Sequence, residues 1–110
     1  MVLTFNQKNK DIFEKIKAGE KKVETRAATE KYQNIRAREE IIFVCGNSRF
    51  KKRVRKILKF KSIAGILKKY KPGDINPGIT TAKEVIALYH SFPDYKEKIR
   101  KFGLIALELE

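Results

Sequence analysis

Residues 41–61 read IIFVCGNSRFKKRVRKILKFK: an apolar run, a turn signal at Gly46-Asn47-Ser48 and a long basic segment. An apolar run closed by Gly and Asn is typical of a buried strand and the turn that ends it. The apolar residues of the basic segment have helical spacing at Phe50, Val54, Ile57 and Leu58, and strand spacing at Phe50, Val54, Leu58 and Phe60. Because a short turn joins this segment to the preceding strand, we predict a β-hairpin rather than a helix.

The N-terminal segments predict a strand, a helix and a second strand. VLTF (2–5) and KKVETRAA (21–28) alternate like strands, and a helix with Ile12 and Ile16 on its apolar face lies between them. Gly19 is suited to ending this helix.

The C-terminal third predicts two helices and a last strand. Thr81 and Glu84 form a capping box that opens the first helix, Gly103 ends the second, and LIALEL (104–109) is the strand. Strands that are mostly sequential and antiparallel, with helices at the margins, favour a small α+β barrel over a doubly wound parallel sheet. No linker or repeat divides the 110 residues, so we expect one domain spanning residues 1–110.

The charge balance predicts an anionic partner. The 26 Lys and Arg residues oppose 13 Asp and Glu residues, which gives a net charge of +13. Such a field attracts polyanions, and nucleic acid is the most abundant candidate. Solubility or adaptation to heat would also favour many charges, but neither requires a two-to-one excess of cations.

The composition also argues against several kinds of site. Cys45 is the only cysteine and His90 the only histidine, so no intramolecular disulfide and no cysteine-based zinc site can form. The chain does not open with a basic segment followed by an apolar one, and no apolar run reaches membrane-spanning length. We expect a cytoplasmic protein that uses no metal or cofactor and does not insert into a membrane.

The segment GEKKVETR, residues 19–26, has five charged side chains around one valine. On a strand, Val23 and Thr25 face one side, whereas Lys22, Glu24 and Arg26 face the other. Spacing alone favours an exposed ladder of charges, in which each pair contributes about 0.2 to 1 kcal/mol.

The same segment resembles the signature of a known family. A helix that ends in Gly, followed by Gly19-x-Lys21-x-x-Glu24-x-Arg26, is similar to the motif of the ASCH domain family within the PUA-like superfamily. The resemblance covers nearly the whole chain, from VLTF to the closing LIALEL. It implies a small PUA-like β-barrel edged by helices, with a cleft for RNA or a modified nucleoside that Lys21, Glu24 and Arg26 line.

One departure concerns the turn before the central strand. Many members have Gly-Asp there, whereas this chain has Arg38-Glu39-Glu40 before Ile41. We expect the backbone entering that strand to differ locally.

The basic half of the hairpin predicts a row of phosphate contacts. Its thirteen residues, 49–61, contain eight cations and no acid. On a regular strand one side carries Lys51, Arg53, Arg55, Lys59 and Lys61, with alternate residues about 6.6 to 7 Å apart. That spacing approximates successive phosphates of an extended single strand, so the row would provide affinity and salt dependence without sequence preference. Protection of an edge strand is the alternative role, and both roles are compatible.

Aromatic side chains usually add base stacking to such sites. Tyr32 and Tyr70 are the candidates here, whereas Phe5, Phe13 and Phe43 have the spacing of core residues.

Two classes of function follow for this motif, a binding module and an enzyme, and a structural role is a third alternative. As a binding module, Lys21 and Arg26 would hold a phosphate or a base edge, and Glu24 would accept a hydrogen bond from an exocyclic amine. This class is favoured, with RNA as the partner. A third alternative is a structural subunit that docks its basic face on ribosomal RNA or an acidic protein.

The enzymatic alternative comes from small family members that hydrolyse an N-acyl group from a modified cytidine, with a lysine, a threonine and a glutamate around the same cleft. Lys21 matches that lysine, but Glu24 stands at the threonine position. Thr25 is adjacent and is predicted to face inward, and no glutamate aligns within residues 74–79. An amidohydrolase would therefore have to use Lys21 and Glu24 in a different chemistry, with Glu24 as base.

Overall fold

The computed structural model describes residues 1–110 and contains one curled, five-stranded sheet with five helices. The strands are β1 (Val2–Thr4), β2 (Val23–Ala27), β3 (Glu40–Cys45), β4 (Ser48–Phe60) and β5 (Leu104–Leu109). The helices are α1 (Lys10–Lys17), α2 (Ile63–Lys69), α3 (Pro72–Ile75), α4 (Ala82–Ser91) and α5 (Tyr95–Phe102). Short 3₁₀ turns at Gln7–Asn9 and Glu30–Tyr32 complete the regular structure. The curled half-barrel confirms the predicted small α+β barrel, and the hairpin of β3 and β4 is confirmed as well.

The strand order is β1-β3-β4-β5-β2. Three of the four pairs of neighbouring strands are antiparallel, and the fourth pair, β1 with β3, is parallel. Consequently β1 and β2 are the two edges of the sheet. The sheet curls until these edges approach one another, and the guanidinium of Arg26 in β2 lies 4.7 Å from the ring of Phe5, just after β1.

Two hydrophobic cores lie on opposite faces of this sheet. The inner core, inside the curl, packs α1 and the 3₁₀ turn against the sheet through Phe13, Tyr32, Phe43 and Leu107. The outer core packs the later helices against the other face through Ile66, Tyr89 and Leu104. Because β5 is buried on both faces, its sequence LIALEL is almost continuously apolar.

The predicted helix signals are also confirmed. In the capping box of α4, the Thr81 hydroxyl accepts a hydrogen bond from the Glu84 N–H, and Glu84 accepts one from the Thr81 N–H. α5 ends where Gly103 begins the turn into β5. No helix combines the length and the apolar character needed to cross a bilayer.

β4 is where the strand prediction was incomplete. Its pairing with β5 shifts between Val54 and Lys56, so Arg55 lies in a bulge. Before the bulge Phe50 and Val54 face the inner core, whereas after it Leu58 and Phe60 pack against the outer core. One extra residue therefore reverses the side on which each later residue of β4 points.

Candidate functional site

A cleft of about 240 Å³ opens at the seam between the two sheet edges. Three parts of the chain form it: the end of β1 with the start of α1, the unpaired edge of β2, and the loops at α3 and between α4 and α5. The side chains important to its chemistry are Phe5, Lys21, Glu24, Thr25, Arg26, Asn76, Tyr89, Phe92 and Tyr95. The three predicted motif residues are thus brought together at one cleft.

Lys21, Glu24 and Arg26 form a buried charged cluster. One carboxylate oxygen of Glu24 lies 3.2 Å from Lys21 Nζ, and the other accepts a hydrogen bond from Arg26 Nε at 3.0 Å. The side chains of Lys21 and Glu24 are only 3% and 5% exposed. The exposed ladder favoured by spacing alone is therefore wrong, and Lys22, predicted to flank Glu24, points into solvent instead.

This cluster also caps the unpaired edge of β2. Lys21 Nζ donates to the Val23 carbonyl. Glu24 accepts a hydrogen bond from the Thr25 N–H at 3.2 Å, and the Tyr95 hydroxyl accepts one from the Ala27 N–H at 3.4 Å. Side chains thus satisfy backbone groups that an edge strand would otherwise expose to another chain.

The ionisation of the cluster follows from its burial and its pairing. Burial lowers the pKa of Lys21, and the nearby charge of Arg26 lowers it further; Glu24 raises this pKa but does not offset the burial. Burial alone would raise the pKa of Glu24, but Lys21 and Arg26 outweigh it and leave the pKa below its ordinary value. Burial likewise opposes the charge of Arg26, yet Glu24 raises the net pKa of the guanidinium. With Lys21 protonated, the cluster carries one excess positive charge at the cleft.

Arg26 is the member of the cluster that can meet a ligand. Its Nε is fixed by Glu24 and its guanidinium plane lies over Phe5, but its two terminal amino groups make no hydrogen bond in the structure. The side chain is 18% exposed. A guanidinium held at one edge with its fork open suits bidentate recognition of two neighbouring acceptors.

Thr25 faces the packed interior, as predicted, and it also lines the cleft. Its hydroxyl does point toward the outer core, where it lies 2.6 Å from the Tyr89 hydroxyl, but both groups line the cleft. Because the cleft runs along the free edge of β2, side chains from both faces of that strand reach it. Burial raises the pKa of Tyr89, so its phenol remains protonated at neutral pH.

Asn76 is a cleft residue that the sequence prediction did not include. Its Oδ1 is buried and has no hydrogen-bond partner, which is the one such side-chain atom in the protein. An unsatisfied buried acceptor costs about 1 to 3 kcal/mol, so a partner gained by a turn of this side chain would recover part of that free energy. Asn76 follows a four-residue helix in a segment without periodicity, and no sequence pattern marks it as functional.

The basic strand does not form the single row predicted. The bulge at Arg55 leaves Lys51 and Arg53 on the outward face of the sheet and turns Lys59 toward the inner side, where it donates to Gln33 at 3.3 Å. Lys61 lies beyond the end of β4. The prediction that Lys51, Arg53, Arg55, Lys59 and Lys61 point together is therefore wrong.

Arg55 belongs to a different cluster on the outer side of the sheet. Its Nη2 contacts Glu108 at 2.5 Å, and the Tyr70 hydroxyl donates to the other oxygen of Glu108 at 2.7 Å. Tyr70 is 6% exposed and Tyr32, within the inner core, is 7% exposed. Neither tyrosine offers a free ring face for stacking, which corrects that prediction. The aromatic residues at the cleft are Phe5, Tyr89, Phe92 and Tyr95.

The fold and the cleft define a class of protein: a curled, mostly antiparallel half-barrel with a charged cleft at its open seam. A family model described as ASCH domain matches residues 9–110. The chain therefore belongs to the ASCH domain family, and the resemblance identified from its motif is confirmed.

Two solved structures are similar over nearly their full length. The crystal structure of the hypothetical protein PH0355 has a TM-score of 0.80 and 30% identity, over all of this chain and 98% of that one. The solution NMR structure of protein PF0455 from Pyrococcus furiosus has a TM-score of 0.74 and 29% identity, over all of this chain and 96% of that one. No curated protein matches the chain.

Proposed function

We propose that this protein is an RNA-binding module whose cleft accepts one unpaired nucleobase. The observation that carries the proposal is the guanidinium of Arg26, which is fixed by Glu24 and Phe5 while both terminal amino groups remain free. Arginine in this arrangement suits two acceptors on one base edge, or a phosphate. Membership of the ASCH family and the net charge of +13 support the same function.

The size and walls of the cleft favour a single base over a longer ligand. Its volume of about 240 Å³ is smaller than the roughly 300 to 1,000 Å³ of pockets for drug-sized ligands. Phe92 and Tyr95 lie partly exposed at the cleft, where an unstacked base can pack against them. A duplex does not present its bases in this way, so we expect single-stranded or looped RNA.

The roles of the polar residues differ from those predicted for the motif. The Glu24 side chain is only 5% exposed and already accepts from Lys21, Arg26 and the Thr25 N–H, so its role is to position Arg26 rather than to accept from a base. Asn76 Oδ1 has no partner but is buried, so its side chain must turn toward the cleft before it can accept from an exocyclic amine of the base. Lys21 supplies positive charge and holds the edge of β2.

The test is titration of short fluorescent single-stranded RNAs of different base composition at several salt concentrations. Arg26→Lys keeps the charge but loses the fork, so we expect it to bind with about ten-fold lower affinity and little base preference. Arg100→Lys on the exposed surface of α5 is the matched control and should behave as wild type. Unchanged base preference in Arg26→Lys would refute the assigned role.

A second candidate function is hydrolysis of an N-acyl group from a modified cytidine. One observation favours it: the Thr25 hydroxyl lies in the same cleft as Lys21 and Glu24. Against it, the hydroxyl bonds only the protonated Tyr89, and no base contacts it. Acetate released from an N-acetylated cytidine by wild type, and by neither Thr25→Ala nor Lys21→Ala, would establish this activity.

A further inference from the structure

The part of β4 before the bulge presents unpaired cations on a face of the sheet outside the cleft. Arg49 and Lys51 are exposed and form no salt bridge or hydrogen bond. Arg53, the next cation along this face, is partly neutralised, because its Nε lies 3.5 Å from Glu110 and its Nη1 donates to the Arg38 carbonyl at 3.2 Å. Two strongly accessible positive charges therefore remain, about 7 Å apart along the strand.

The strand register connects these two cations to the cleft. Arg49 lies opposite Val44, which in turn lies opposite Thr4 of β1. Lys51 is opposite Ile42 in the same way, and Ile42 is opposite Val2. Thr4 lines the cleft, and two strand spacings separate it from Arg49, a distance of about 10 Å.

These residues form one outer sheet face, comprising Val2, Thr4, Ile42, Val44, Arg49 and Lys51. Its edge residues are exposed, with Val2 45% accessible, whereas Ile42 and Val44 are half-buried between their neighbours. The outer core, by contrast, covers the opposite end of the sheet, at β2, β5 and the later part of β4. The outer sheet face is thus an open, weakly apolar surface bordered by cations.

We propose that the outer sheet face binds the RNA backbone immediately next to the base held in the cleft. Arg49 and Lys51 contact successive phosphates, and Val44 and Ile42, which lie beside them on β3, contact the adjoining sugars. The proposal rests on the proposed function and gives the RNA a direction: it leaves the cleft across β1 and β3, and then follows β4 from Arg49 to Lys51. A second copy of the chain is a poor occupant because it would bring a like-charged face against this one.

The test compares two double variants that remove the same charge from the same segment. Arg49→Gln with Lys51→Gln should reduce the magnitude of the salt slope of single-stranded RNA binding by about 1.4, since each phosphate contact contributes about 0.7. The matched control is Lys59→Gln with Lys61→Gln, beyond the bulge, which should leave the slope unchanged. Thermal melting of both variants checks that the fold is intact.

A second measurement uses wild type alone. RNA with a photoreactive base next to the recognised one should crosslink to β1, β3 and the first half of β4, and not to residues 56–61. An equal decrease of the salt slope in the two double variants, or crosslinks at residues 56–61, would overturn the proposed backbone path. Neither result would contradict the proposal that the cleft binds a base. Wild type without saturable, salt-dependent RNA binding would overturn both. A dimer that buries this face and excludes RNA from it would overturn the path.

Discussion

Glu24 holds the charged cluster together, since its two oxygens bind Lys21, Arg26 and the Thr25 N–H. Glu24→Gln would leave two buried cations without a counter-charge. We expect the free energy of unfolding to fall by about 3 to 5 kcal/mol, as it does when one partner of a buried ion pair is removed. Chemical denaturation measures this loss. Glu97→Gln, which removes an exposed pair with Arg100, is the control and should change stability little.

The same carboxylate predicts a pH dependence. The pKa of Glu24 in the folded protein lies below its ordinary value of 4.5. Its contribution to stability is therefore fully present above about pH 4.5, and it is lost as the pH falls through the lower, folded-state pKa. The stability gap between wild type and Glu24→Gln should be constant near neutral pH and narrow below pH 4.5. A stability gap of the same size at pH 3 and pH 7 would show that the charge of Glu24 does not stabilise the folded protein.

Asn76 predicts opposite effects on stability and on binding. Replacing it by Ala removes a buried acceptor without a partner, so we expect the free energy of unfolding to rise by about 1 kcal/mol. The same variant should bind RNA more weakly and discriminate less between bases with and without an exocyclic amine. Denaturation and RNA titration of one protein sample measure both. A less stable variant with unchanged binding would indicate that Asn76 is structural.

At the scale of single elements, the hairpin and the helix caps could be predicted because their signals are local. The Gly46-Asn47 turn and the Thr81 capping box each lie within four residues. The bulge at Arg55 could not be predicted, because Arg55 and Lys56 are both charged and give no signal of an extra residue. The strand pattern of the apolar residues continues through them, at Phe50, Val54, Leu58 and Phe60. Pairing with β5, fifty residues away, sets the bulge, and that pairing separated the predicted row of cations.

The turn between α5 and β5 gives a prediction for the element scale. Gly103 has φ +79°, and a Cβ there would meet the Phe60 carbonyl oxygen at 2.3 Å. Gly19, at φ +81°, has no atom within 4 Å of such a Cβ. Gly19→Ala should therefore lower the free energy of unfolding by about 1 to 2 kcal/mol, which is the strain of alanine in a left-handed conformation. Gly103→Ala should lower it distinctly more, because the backbone at Phe60 must also move. Urea denaturation measures the stability of the two variants, and an equal loss of stability in both would contradict the predicted clash at Gly103.

For the whole molecule, the pattern of strands and helices predicted the α+β barrel, and the family resemblance implied that Lys21, Glu24 and Arg26 line one cleft. It could not show how that cleft is closed, because the parallel pairing of β1 with β3 and the approach of β1 to β2 join segments about twenty or more residues apart. Phe5 beneath Arg26 follows from that closure, whereas the later helices bring Tyr89 beside Thr25 and Asn76 into the same cleft. The net charge of +13 likewise predicted an anionic partner without showing which face it meets.

The most direct measurement is amide chemical-shift mapping of the ¹⁵N-labelled protein during titration with a short single-stranded RNA. The account predicts saturable shifts at Thr25, Arg26 and Asn76, together with Val44 and Lys51 on the outer sheet face. Shifts spread evenly over the basic surface, or confined to residues 56–61, would show that charge alone attracts the RNA. They would contradict the central claim that the cleft holds one base.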